Sequence, residues 1–319
     1  MATVYSRAQI EQVIEPRQVI AAMERAFVAY SNGEAVVPPV GQLDFENPPG
    51  DCHIKYGYIK GGSTFTVKIA TGFWKNPERG LASSSGVVLV FSSETGVLET
   101  IFQDEGYLTD ARTAAAGAVA AKYLAPAHVD CIGIIGAGLQ ARLQLEYLRE
   151  VTSCRRVKLW ARAPERARAL KVEGYDIEVV SSPAAVAASA RLIVTTTASK
   201  AWLLGATDVK PGTHITALGA DGGGKQELEP QLFARAKVRV VDSLGQCSKY
   251  GDSAFALERG LIELRDLVEL GRVIEDRALG RSSEQDISIA DLTGVAVQDI
   301  AIAELALQGL RGGITRTGR

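Results

Sequence analysis

One glycine-rich hexapeptide and three charged side chains are the parts of this chain with the most chemistry to offer. Gly136-Ala137-Gly138-Leu139-Gln140-Ala141 follows the apolar run CIGII and precedes a helical pattern. This is the G-x-G-x-x-G/A context in which a turn brings a dinucleotide pyrophosphate against helix N–H groups. The first glycine permits the tight turn, and Gly138 lets the backbone approach the phosphates. About 20 residues beyond such a loop a carboxylate usually binds the ribose 2′-hydroxyl of NAD. Trp160-Ala161-Arg162 stands there instead. With no carboxylate to repel a 2′-phosphate and a guanidinium able to pair with one, NADP(H) is favoured and NAD(H) remains possible. The competing reading of Arg162 is a cap on a surface strand.

Lys68 lies in TFTVKIATG, where strand alternation places it on the face opposite Val67 and Ile69. That face is either solvent, the usual place for a strand lysine, or a site holding an anion. Arg112 falls in the first turn of a helix predicted to be capped by Thr109 or Asp110. A cation there opposes the helix dipole, so it is either a solvated arginine or half of a carboxylate or phosphate receptor. Asp221 follows the apolar run HITALGA and precedes three glycines. It is either a turn aspartate or a group at a strand's carboxyl end, where open α/β sheets bind ligands.

The elements that must position these residues form two textures. The stretch from Pro16 to about Gly33 carries Val19, Ile20, Met23, Ala26, Phe27 and Tyr30 at helical spacing. Strand-like runs follow at His53 to Ile59, Thr64 to Thr71, Val87 to Ser92 and Val97 to Gln103, predicting an antiparallel sheet. TDARTAAAGAVAAKYLAP is an alanine-rich helix stopped by Pro126. From Val129 strands alternate with helices at Cys131 to Ile135, Val157 to Trp160, Ile177 to Val180, Leu192 to Thr196, Ile215 to Leu218 and Val238 to Val241. That alternation predicts a Rossmann-type doubly wound parallel sheet, an α/β fold. DLTGVAVQDIAIAELALQGL then has the length and apolar spacing of a helix.

The 319 residues suit two domains, and 46% hydrophobic with 23% charged residues is ordinary globular composition. A net charge of −2 from 35 basic and 37 acidic residues supplies no field for a polyanion or an anionic membrane, so no nucleic-acid or membrane partner is expected. The opening MATVYSRAQIEQVIEP has no secretory pattern, and a cytoplasmic location is expected. Cys52, Cys131, Cys154 and Cys247, with His53, His128 and His214, show no metal-ligand spacing, so no metal is expected.

The segments VKIATGFWKNPERGLASSSG, YLTDARTAAAGAVAAKYLA, IGIIGAGLQAR, VTTTASKAWLL, ITALGADGGGKQELEP and VVDS resemble, in order and spacing, the ornithine cyclodeaminase and mu-crystallin family over nearly the whole chain. The resemblance implies an α+β substrate-binding and dimerisation domain, 1–118 with 292–319, and a Rossmann domain, 119–291. It implies Lys68 and Arg112 as ligands of a substrate carboxylate and Asp221 as acid/base at the substrate nitrogen, so that Lys68 and Asp221 form the catalytic pair. The family's arginine after a VPP-like stretch is missing at Val40-Gly41-Gln42, and Lys55 is the candidate substitute. The implied cofactor set is Ser83, Arg112, Thr113, Gly136, Ala137, Gly138, Leu139, Gln140, Ala161, Arg162, Thr196, Gly219 and Asp221. Trp160-Ala161-Arg162 is similar to the Trp-Asn-Arg of NADPH-using mu-crystallins, whereas the cyclodeaminases tend to keep Asp at the position of Ala161. The implied activity is NAD(P)-dependent oxidation or reduction at the carbon–nitrogen bond of a small amino or imino acid, by a homodimer. The alternatives are a redox-neutral cyclodeaminase and a non-catalytic binding protein of the mu-crystallin kind.

Overall fold

The computed structural model of the chain describes residues 1–313; of the predicted C-terminal part of the substrate domain, 314–319 lie outside the described residues. Two compact units are formed, Met1–Arg112 with the chain from Val295 onward, and Thr113–Gly294.

The first unit is built on strands β1 (Thr3–Ser6), β2 (Ala35–Val36), β3 (Gly41–Phe45), β4 (Gly50–Ile59), β5 (Thr64–Phe73), β6 (Ser84–Ser92) and β7 (Leu98–Gln103). Its sheet runs β1-β7-β6-β5-β4-β2, with β3 also paired to β4. The β4 to β7 meander is antiparallel as its turn-separated runs predict. β1, outside the four predicted runs, joins the same sheet by pairing with β7 in parallel. The chain leaving β1 forms helices α1 (Arg7–Glu11) and α2 (Pro16–Ser31), the kind of long connection that parallel pairing needs. α2 starts with Pro16 at its first position and buries Val19, Ile20, Met23 and Phe27. Each such side chain is worth about 1.5 to 3 kcal/mol of burial. α2 and strands β4 and β5 pack against the C-terminal helix Ala296–Arg311. That helix is shorter than the apolar spacing suggests, since Asp291 ends a strand and Gly294 turns with φ 79°.

Helix α3 (Tyr107–Leu124) begins before the predicted Thr109 or Asp110 cap. Glu105 and Gly106 take positive φ, and the Leu108 N–H donates to Asp104 Oδ2 at 2.9 Å. Arg112 consequently sits in the second turn, where the helix dipole has largely faded, so its setting is explained by its partners.

The second unit contains β8 (Ile132–Ile135), β9 (Arg156–Trp160), β10 (Asp176–Val179), β11 (Leu192–Thr195), β12 (Lys200–Leu204), β13 (His214–Ala217), β14 (Gln226–Leu228), β15 (Val238–Val241), β16 (Val268–Glu269) and β17 (Ser288–Asp291). Eight of them form a parallel sheet ordered β10-β9-β8-β11-β13-β17-β15-β16, and β12 pairs with β14 separately. The order reverses at β8, so the crevice beyond the carboxyl ends of β8 and β11 is the position where a doubly wound sheet receives a ligand. β17 lies between β13 and β15 although its sequence, Ser-Ile-Ala-Asp, has neither an apolar run nor a clear alternation. Ser288 is satisfied there by donating to Leu124 O at 2.9 Å and meeting His214 Nδ1 at 3.0 Å. Among the described residues no helix is long and apolar enough to cross a membrane.

Candidate functional site

In the first unit, β5 turns Thr64, Thr66 and Lys68 inward and leaves Phe65, Val67 and Ile69 partly exposed on its other face. Lys68 is only 2% exposed, so of its two possible surroundings solvent is ruled out. Its ammonium meets Asp299 of the C-terminal helix, with Nζ 2.9 Å from each carboxylate oxygen. Arg112 Nε donates to Asp299 Oδ1 at 3.1 Å and its Nη1 to Gln298 Oε1 at 3.3 Å. Lys55, also buried, stands opposite Lys68 in the β4–β5 register. Lys55, Lys68 and Arg112 therefore gather at one carboxylate.

Burial lowers the Lys68 pKa to about 7, overcoming the attraction of Asp299, and the charges of Arg112 and Lys55 act in the same direction as burial. Burial raises the Asp299 carboxyl, but Lys68 and Arg112 outweigh it and hold Asp299 below the ordinary carboxylate range. Sequence reasoning missed Asp299. It is 231 residues from Lys68 and 187 from Arg112, and its one signal was an acidic residue in the first turn of a largely apolar helical stretch.

In the second unit, β8 delivers Gly136 with φ 123°, where a Cβ would lie 2.5 Å from Thr196 Oγ1. Gly138 is the residue before helix α4 (Leu139–Leu148) and has open space in front of it. Gly136, Ala137, Gly138, Ala161, Arg162 and Thr196 line a cavity of about 570 Å³, together with Glu165 and Arg166. A glycine cradle at a helix N-terminus, with cations alongside, fits the phosphates of a dinucleotide.

The remaining expected residues are spread more widely. Leu139 is exposed, and Gln140 accepts from Gln144 Nε2 at 3.4 Å, as does the Thr113 carbonyl at 3.1 Å. Ser83 is exposed in the first unit at the entry to β6. Asp221 is exposed beyond β13 and accepts from Lys225 Nζ at 2.6 Å.

Gly219 donates its N–H to Glu227 Oε2 at 2.7 Å, and Glu227 was the second residue missed. Its carboxylate also accepts from Thr195 Oγ1 at 2.6 Å, Thr197 N at 2.5 Å and Thr197 Oγ1 at 2.7 Å. It thus holds the Thr195 hydroxyl and the Thr197 N–H and hydroxyl on either side of Thr196. Asp252 accepts from the N–H groups of Glu227 and Leu228, each at 2.8 Å. Asp291 in turn accepts from Asp252 N at 3.2 Å and Ser253 N at 2.8 Å. Burial raises all three of these acids, most clearly Asp252, which Asp291 and Glu227 push further, and Asp291, which reaches about 7.

The sequence model of the ornithine cyclodeaminase/mu-crystallin family matches residues 1–312. An uncharacterized cyclodeaminase of Sinorhizobium fredii is 44% identical over 293 residues, which are 89% of this chain and 88% of that protein. The structure of an archaeal alanine dehydrogenase dimer with bound NAD aligns with TM-score 0.89 at 32% identity, covering 98% of this chain and 96% of the other. That of Thermococcus litoralis Δ1-pyrroline-2-carboxylate reductase with NADH and L-proline aligns with TM-score 0.92 at 27% identity, covering 99% and 100%.

Proposed function

The chain belongs to the ornithine cyclodeaminase/mu-crystallin family, and on that footing we propose that it is an NAD(P)-dependent oxidoreductase acting on the carbon–nitrogen bond of a small amino or imino acid. Its class is that of imine reductases and amino-acid dehydrogenases. The observation that carries this reading is the buried gathering of Lys55, Lys68 and Arg112 around the carboxylate of Asp299, an excess of positive charge suited to a substrate carboxylate.

Lys68 and Arg112 bind that carboxylate, with Lys55 beside them, and so aim the α-carbon. The nicotinamide, when bound, supplies or takes the hydride at that carbon. Gly136 and Gly138 leave room for the pyrophosphate, and α4 presents its N–H groups to it. Asp221, which accepts from Lys225 Nζ, exchanges a proton with the substrate nitrogen. Substrate binding and dimerisation are assigned to the first unit, and cofactor binding to the second.

Arg162 and Arg166 against Glu165 support NADP(H) as the preferred cofactor, although the two aligned structures carry NAD and NADH. Leu43, Phe45, Tyr56 and Tyr58 leave the first unit's sheet with exposed apolar side chains, which supports a homodimer. Four free, buried cysteines support a reducing, cytoplasmic setting.

Incubating the purified protein with cyclic and acyclic imines, and with α-keto acids plus ammonia, is expected to consume NADPH or NADH in step with substrate. Failure across that panel overturns the oxidoreductase reading. The 44% identity to an uncharacterized cyclodeaminase favours one second reading, in which ammonia leaves a diamino acid with no net change in reduced cofactor.

A further inference from the structure

Asp299 has no role in the scheme above, yet it contacts both cations assigned to the substrate carboxylate. We propose that Asp299 is a positioning residue that sets the proton occupancy of Lys68, and that a substrate carboxylate arriving at Lys68 and Arg112 brings one solvent proton onto the Lys68 Nζ lone pair. This rests on the reading of the cluster as a carboxylate site.

The charged groups facing Lys68 come from every side of its surroundings. Lys55 lies across from it on β4, Arg112 reaches it from α3, Asp299 from the C-terminal helix, and Asp104 from the segment before α3. Burial, aided by the charges of Arg112 and Lys55 and opposed by the Asp299 carboxylate, leaves Lys68 balanced between its two protonation states near pH 7. A second carboxylate beside it favours the ammonium, and an opposite charge at this range commonly moves a pKa by about 1 to 3 units. Nζ then takes up a proton, and no other bond changes.

Two buried polar atoms point independently to an acceptor that the protein itself does not supply. Gln298 Nε2 and Thr66 Oγ1 have no hydrogen-bond partner among the described residues. The amide oxygen of Gln298 is already used by Arg112 Nη1 and by Val295 N, at 3.3 and 2.9 Å, leaving its NH₂ as a donor. Thr66 lies two residues before Lys68 on the same face of β5. Donors left unpaired in a buried cationic cluster are matched by an anion with several lone pairs.

The experiment is calorimetric titration of pyruvate into the protein saturated with its preferred oxidised nicotinamide cofactor. It is run near about pH 8 in buffers of different ionisation enthalpy, and repeated across pH. The expected result is uptake of about half a proton or more per pyruvate bound, with no uptake in Lys68→Met. In Asp299→Asn the midpoint of that pH dependence moves down by about 1 to 3 units, which a merely structural defect would not produce. Buffer-independent heat in the wild-type protein, or an unmoved midpoint in folded Asp299→Asn, overturns the proposal. Should that variant not fold, the wild-type and Lys68→Met titrations decide. If pyruvate and other small carboxylates fail to bind at all, the carboxylate-site reading falls too, whereas binding without proton linkage removes this inference alone.

Discussion

The two units bury opposite charge by opposite means. In the first, three cations from β4, β5 and α3 meet one acid from the C-terminal helix, and Lys68 stands close to its neutral form. In the second, Glu227, Asp252 and Asp291 accept mainly from backbone N–H groups and hydroxyls, with no cation in the chain that links them. A cationic centre that must receive an anionic ligand is left with charge to spare. The acids that tie strand ends together draw their hydrogen bonds from the peptide groups and hydroxyls they tie, with Asp252 Oδ2 left without a partner among the described residues. The difference teaches that burial and a displaced pKa do not by themselves mark a catalytic group.

The contrast is broken most directly at the exposed acid. Asp221→Asn, assayed with a verified substrate, is expected to lower kcat by about 10²- to 10⁴-fold while cofactor affinity persists. Wild-type turnover under chemistry-limited conditions would transfer the proton role elsewhere. Asp299→Ala removes the carboxylate that meets buried Lys68 and Arg112 and should destabilise the folded chain by about 3 to 5 kcal/mol in denaturant unfolding. A loss below about 1 kcal/mol, the range of surface pairs, would mean the cluster is solvated.

Arg162→Ala sharpens the cofactor side. NADPH binding should weaken by about 1.5 to 3 kcal/mol with NADH little changed, and equal losses for both would detach Arg162 from the 2′-phosphate. The smallest effects are slopes of stability against pH, and they should have opposite signs. Asp291 at about 7 lies above its ordinary 3.8, so between these values the folded chain holds the extra proton and stability falls as pH rises. Lys68 at about 7 lies below its ordinary 10.5, so between these values the unfolded chain holds the extra proton and stability rises with pH. Each slope is at most about 1.4 kcal/mol per pH unit. Thermal melts of Asp291→Asn and Lys68→Met should each lose one slope and keep the other.

The cofactor loop was legible because its chemistry is local. β8, the glycines and α4 are contiguous, and the strand and helix around a G-x-G-x-x-A are part of the pattern. Lys68 and Arg112 were legible as candidates, but local sequence pointed a strand lysine toward solvent and left Arg112 open between solvent and ligand. Asp299 decides for the interior, and strand periodicity cannot report a partner 231 residues away. β17 was missed because its flanking Ser288 and Asp291 read as polar, and it is pairing on both edges that makes the segment a strand. The start of α3 was misplaced because its cap is Asp104, across the positive-φ pair Glu105 and Gly106.

The first unit is made of the chain's early residues and of the stretch from Val295 onward, with the whole of the second unit encoded in between. Synthesis from the N-terminus therefore delivers Lys55, Lys68 and Arg112 long before the residue that neutralises them. While the ribosome works through Thr113 to Gly294, the early strands lack the helix that α2, β4 and β5 pack against, and their cations have no Asp299. A nascent chain that stops short can complete its α/β sheet, but the half meant for substrate is left with like charges that resist burial. Placing the counter-ion in a helix that follows the second unit makes closure of that half wait until Thr113 to Gly294 has been synthesised.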